Sequence, residues 1–162
     1  MRKASSTGSS PPPCKSATDR AFSTHVFHAI ALNVLTGVCH CGAASWAFNS
    51  KPEGATACNC TVCRRYGVLW IYGYEGVDVR VSGETRDYSR GTAIDFYFCP
   101  VCGCVVFYRA KKRDADGRQK IAVNVRLSEP EAVADIPIDH FDGFDKFDDL
   151  PRDGKCVRDY WF

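Results

Sequence analysis

The chain has 162 residues, of which 45% are apolar and 12% aromatic, a globular composition long enough to bury a real core in one domain. No apolar run reaches the roughly 18 residues a membrane-spanning helix needs. A net charge of +2 gives no footing for nucleic acid, and nothing points to a membrane partner.

The unusual feature is the ten cysteines. A secreted disulfide scaffold and an intracellular metal protein are the two explanations. The opening stretch lacks the apolar h-region of a secretory signal. The expectation is therefore a reducing compartment, the cytoplasm, and the spacing of the cysteines decides the rest.

Residues 1–28 are Ser-, Thr-, Pro- and Ala-rich and read as a disordered tail. The run Pro11-Pro12-Pro13 argues against a transit peptide. Residues 29–162 read as a single zinc-binding domain. Within it, short β-rich runs follow one another: Ile30–Cys39, Ala43–Phe48, Val68–Tyr74, Val77–Val81, Ile94–Cys99, Cys104–Arg109 and Ile121–Leu127. Glycine, proline, Asn and Asp punctuate them, and Asp116-Gly117 marks a hairpin-type turn. The pattern predicts a mainly β fold of antiparallel strands. Pro130 opens one helical turn within Glu129–Asp135. The segment Asp139–Asp153 reads as an extended arm pinning Phe141, Phe144 and Phe147 to the body.

Eight of the cysteines fall in three clusters: Cys39-His40-Cys41-Gly42, Cys58-Asn59-Cys60-Thr61-Val62-Cys63, and Cys99-Pro100-Val101-Cys102-Gly103-Cys104. The C-x-x-C-G knuckle converges two sulfurs on one point and needs a second pair to complete tetrahedral zinc. Residues i and i+2 of an extended strand face one side, so Cys39 and Cys41 supply that pair. Cys39, Cys41, Cys99 and Cys102 then form a closed structural site, with disulfides as the alternative. Cys58, Cys60 and Cys63 are left as three thiolates, the ligand count of an open catalytic zinc. The alternative is a second closed site completed by His40 or Cys104. Arg64 and Arg65 are candidates to hold the carboxylates of an anionic substrate, or are simply a solvated face. Cys14 and Cys156 read as free thiols without function.

These clusters, with Val123-Asn124-Val125-Arg126 and Phe141-Asp142-Gly143, resemble the glutathione-dependent formaldehyde-activating enzyme family, which includes centromere protein V. The resemblance runs from about Leu35 to about Asp149. It implies a β-tent fold of bent antiparallel sheets around two zinc ions. Cys39, Cys41, Cys99 and Cys102 match the family's structural ligands, and Cys58, Cys60 and Cys63 its catalytic ones. The implied activity is carbon–sulfur lyase chemistry on S-hydroxymethylglutathione, with glutathione as co-substrate. Asn59 departs from the pattern, because family members often carry His there. Two other functions compete. One is a non-enzymatic zinc module that binds a protein partner through the basic tail. The other is a thiol-redox role, which needs a reactive cysteine outside the zinc sites.

Overall fold

Strands form where Val, Ile, Phe, Tyr and Trp alternate with polar residues, and here those runs assemble into two sheets. The computed structural model describes residues 34–161. The expected tail and Cys14 lie outside these residues. In chain order the first strands are β1 (Leu35–Val38), β2 (Ala44–Phe48), β3 (Ala55–Cys58), β4 (Trp70–Tyr74), β5 (Val79–Gly83) and β6 (Arg86–Arg90). There follow β7 (Ile94–Phe98), β8 (Val105–Ala110), β9 (Lys120–Asn124), β10 (Ile138–Asp142) and β11 (Asp148–Leu150). Two single-turn helices, α1 (Cys63–Tyr66) and α2 (Pro130–Val133), interrupt them. Pro130 begins α2, as its fixed φ favours.

The smaller sheet has the order β1-β2-β5 and the larger the order β11-β10-β3-β4-β9-β8-β7-β6. All pairings are antiparallel except β3 with β10, which run parallel. The fold is thus mainly β, as expected, with one mixed sheet. The strands absent from the sequence reading have weak apolar patterns. The residues of β6 are polar or exposed, and β7 alone holds it at the sheet edge. The segment read as an arm is extended, but it is built into the sheet through β10 and β11. Phe144 and Phe147 are 63% and 74% exposed rather than pinned down, which corrects that expectation. Loop geometry holds them out, as described below.

The faces of the larger sheet have different roles. Ile71, Phe107, Ile121 and Val123 point toward Trp46, Phe48 and Val79 of the smaller sheet and make the main core. The alternate residues Trp70, Phe96, Tyr108 and Ala122 gather on the opposite face with Cys60 and Cys63. Between Tyr97 and Phe98 the pairing register with β8 shifts, so Val106 is an extra residue. This bulge lets Val106 and Phe107 both enter the main core, while Val105 and Tyr108 serve the other face. Asn124 is buried yet satisfied: its Oδ1 accepts from Leu69 and Arg126, and its Nδ2 donates to Val105 O at 2.9 Å. The Val-Asn-Val-Arg motif is therefore a clamp between strands.

Candidate functional site

The first cysteine cluster sits where two chain reversals meet. Cys39 follows β1, and Gly42 N–H closes its turn onto Cys39 O at 2.9 Å. Cys99 follows β7, and Gly103 N–H closes the second turn onto Cys99 O at the same 2.9 Å. Gly42 and Gly103 have φ of 82° and 75°, in the left-handed region that favours glycine. Cys39 and Cys41 thus converge through a turn, not through strand alternation. The ligand atoms of Cys39, Cys41, Cys99 and Cys102 all lie within 4.8 Å of one another. Two of the separations are 3.6 Å (Cys39 to Cys41) and 3.5 Å (Cys41 to Cys99). Sulfurs around tetrahedral zinc at about 2.3 Å lie roughly 3.8 Å apart, so this set fits zinc. It would link β1 of the smaller sheet to the β7–β8 turn of the larger.

The second cluster is built from the end of β3, the turn after it and the start of α1. Cys58 ends the strand, Cys60 lies in the turn, and Cys63 opens the helix. Their sulfurs also lie within 4.8 Å of one another, and no fourth His, Cys, Asp or Glu joins them among the described residues. His40 and Cys104, the candidate fourth ligands, belong to neither group. Cys60 N–H points to Cys58 Sγ at 3.5 Å, and Cys63 N–H to Cys60 Sγ at 3.4 Å. Trp70 Nε1–H donates to Cys63 Sγ at 3.3 Å. Each donor offsets sulfur charge and orients a ligand.

Both clusters divide into easily and reluctantly ionised thiols. The Cys63 thiol and the Cys60 amide hold Cys58 down at about 5. The same contact with Cys58, with burial, pushes Cys63 up. In the first cluster, the Cys104 and Cys41 amides hold Cys102 at about 5. Although the Ala43 amide lowers it, Cys41 is driven up to about 12 by desolvation and its thiol neighbours. One thiolate raises the cost of the next, and a divalent cation is what allows all of them to ionise together.

The chain folds tightly around the second cluster. β10 pairs with β3 up to Phe141 opposite Cys58, which brings Gly143 against the sulfur. A Cβ on Gly143 would lie 2.6 Å from Cys58 Sγ and 3.0 Å from Cys60 Cβ. Asn59 fastens this approach. Its Nδ2 donates to Asp142 Oδ1 at 2.9 Å, and its Oδ1 accepts from Phe144 N–H at 2.9 Å. Asp142 also accepts from the amides of Asp145 and Lys146. The Asn59 contact comes first among the bonds that hold the Asp142 carboxyl below its ordinary range. Asn59 thus organises the loop beside the cluster.

Cys58, Cys60 and Cys63 line a cleft of about 440 Å³. Trp70, Tyr72, Phe96, Tyr108, Phe141 and Phe147 supply its aromatic walls, and Arg90 its positive charge. Arg90 Nη1 lies 3.8 Å from Cys60 Sγ, and its Nη2 lies 3.4 Å from Thr61 Oγ1. Arg64 is not among the lining residues; it is exposed on α1 and sits 5.4 Å over the Phe144 ring. Arg65 donates to Thr61 O. The sequence reading missed Arg90, Tyr72, Phe96 and Tyr108. Strand alternation from Trp70 to Tyr72 was the available signal, but the partner strands were not. Cys156 is fully buried and is not free, which corrects its reading as a free thiol.

Fold and site together define a mainly β scaffold that carries two cysteine clusters fit for metal, one enclosed by four ligands and one with three facing a cleft. The model of the glutathione-dependent formaldehyde-activating enzyme family matches residues 34–135, and the chain belongs to that family. The match spans all three cysteine clusters and ends before Phe141, Gly143 and Phe147. No curated protein matches the chain. Among the described residues, no helix is long and apolar enough to cross a membrane.

Proposed function

We propose that the chain is a zinc-dependent carbon–sulfur lyase that forms and cleaves thiol–aldehyde adducts of the S-hydroxymethylglutathione type. In this reading Cys39, Cys41, Cys99 and Cys102 hold a structural zinc, and Cys58, Cys60 and Cys63 a catalytic one. The observation that carries it is the set of three converging sulfurs without a fourth ligand, opening into a cleft. Zinc bound there supplies a free coordination position that stabilises a substrate thiolate and polarises an aldehyde oxygen.

The protein's own residues provide the surroundings. Trp70 and the cluster amides fix the three sulfurs. Arg90 attracts a carboxylate of the co-substrate glutathione, and we assign this role to it ahead of Arg64, which lies outside the cleft. In cleavage the carbon–sulfur bond breaks, its electron pair leaves with sulfur, and the adduct hydroxyl loses its proton as the carbonyl forms. Sulfur finally takes up a proton, so the step is redox-neutral. The Tyr72 and Tyr108 rings meet edge-on at 6.4 Å at the cleft, and burial, first among the causes, raises both hydroxyls. They stay protonated at neutral pH and can pass that proton along. The eight free thiols of the three clusters support a reducing compartment such as the cytoplasm.

The test is exchange between free glutathione, formaldehyde and their adduct, followed by magnetisation-transfer NMR. Cys60→Ser removes one ligand of the open site, and the accelerated exchange should fall at least roughly 100-fold. An unchanged exchange rate in that variant rejects the proposal.

A further inference from the structure

We infer that the cleft selects adducts whose aldehyde-derived carbon carries an apolar, ring-sized group; this deepens the lyase reading above and rests on it. In a thiol–aldehyde adduct the aldehyde carbon is bonded directly to sulfur, so its substituent lies beside the sulfur site. What stands beside that site is aromatic. Trp70 reaches Cys63 Sγ through its Nε1–H at 3.3 Å. The Tyr108 ring lies edge-on to Trp70 at 4.9 Å, and Phe96 is 5.9 Å from Tyr108. With formaldehyde the substituent is a hydrogen atom, which fills none of this wall.

Size and charge agree. A cavity of about 150 Å³ already admits benzene, and this cleft offers about 440 Å³. Among the described residues, Arg90 is the one Lys, Arg, His, Asp or Glu that lines it. A charged tripeptide finds one partner there, whereas an apolar group finds a continuous surface. The mouth carries the same signature. Phe147 lines the cleft, stays 74% exposed, and has a φ of 57°, rare for a bulky residue. Its N–H bonds to Asp142 O at 2.7 Å, and its ring meets Phe141 edge-on at 5.0 Å. The loop thus holds an apolar ring out at the opening, where a ligand ring can cover it.

The test uses two thioethers of glutathione that cannot be cleaved, S-benzylglutathione and S-methylglutathione. Calorimetry on the full chain, with zinc content measured, compares their affinities. S-Benzylglutathione should bind on the order of 10–100-fold more tightly. Phe147→Ala, on an exposed side chain that does not support the core, should shrink that preference at least about threefold. Equal affinities, or no binding of either compound, overturn the inference and leave the lyase reading to its own exchange assay. A tenfold preference without catalysed exchange rejects the lyase reading and keeps the selectivity. A preference untouched by Phe147→Ala overturns the role given to that residue.

Discussion

Gly143→Ala adds a single methyl group to the loop beside the second cluster. The backbone of Gly143 is not in the left-handed region, so alanine meets no φ penalty there. The obstacle is contact. The new Cβ would lie 2.6 Å from Cys58 Sγ, where ordinary contact begins at 3.4 Å, a shortfall of 3.4 − 2.6 = 0.8 Å. Neither side can yield freely. Cys58 ends a strand held by β10 in parallel register, and Asn59 and Asp142 tie down the Gly143 loop. Overpacking of this kind costs about 1–3 kcal/mol. Metal geometry tolerates only about 0.2 Å, so displacement of Cys58 should weaken zinc at the second cluster roughly 10–100-fold. A chelator competition monitored by zinc release checks this. The four-cysteine cluster, remote from the change, provides the reference phase in the same sample. If the weaker phase of Gly143→Ala matched wild type and exchange activity were intact, the close-approach argument would be wrong.

Two further outcomes follow from single contacts. Trp70→Phe keeps a buried ring but removes the N–H that faces Cys63 Sγ; zinc affinity at the second cluster should drop about tenfold in the same competition, and an unchanged midpoint would mean that this bond tunes nothing. Asp153 supplies a pH dependence. Desolvation raises its pKa, but the Lys155 amide, His140 and the Lys155 side chain outweigh it and hold the carboxyl at about 2, below its ordinary 3.8. A depressed carboxyl stabilises the fold above its unfolded value, and that contribution is lost as pH falls from 3.8 toward about 2. Acid titrations of stability should therefore be flatter for Asp153→Asn than for wild type across that window, and identical slopes would refute the linkage.

The cysteine spacing was the most legible part of the site, because a knuckle is local and its geometry follows from a few residues and a glycine. The strands rich in β-branched and aromatic residues were legible for the same reason, as at Trp70–Tyr74 and Ile121–Asn124, although the expected run to Leu127 stops at Asn124, where Val125–Leu127 turns into a 3-10 helix. β3 and β10 were not, since they pair with each other from positions distant in sequence, and β6 and β11 were not, since each is largely polar and exposed and is held only by the neighbouring strand of its hairpin. The cleft inherits that difficulty. Arg90 sits 30 residues from Cys60, and Gly143 is 85 residues from Cys58, with only the sheet order placing them together. Nothing local marks Phe147 either, because its conformation is set by hydrogen bonds back to Asp142. Arg64 illustrates the converse. It adjoins Cys63 in sequence, yet the turn of α1 carries it over Phe144 and away from the cleft.

On the proposed reading, two clusters of the same chemistry perform different work because of where the sheets put them. The four-cysteine set closes over itself between β1 and the β7–β8 turn, which belong to different sheets. The three-cysteine set lies within one sheet layer, already held by β3, β10 and α1, with a cleft in place of a fourth ligand. Loss of metal should therefore have unequal effects. Structural zinc contributes apparent folding energy of about 10–16 kcal/mol, comparable with the whole stability of a domain, about 5–15 kcal/mol. Cys41→Ser should accordingly leave little folded protein at ambient temperature, with strand circular dichroism largely lost. Cys58→Ser should keep the strand signal and a cooperative melt while losing exchange activity and the second zinc. A Cys41→Ser variant that melted like wild type would show that the two sheets hold together without the metal link, and the division between structural and open sites would have to be redrawn.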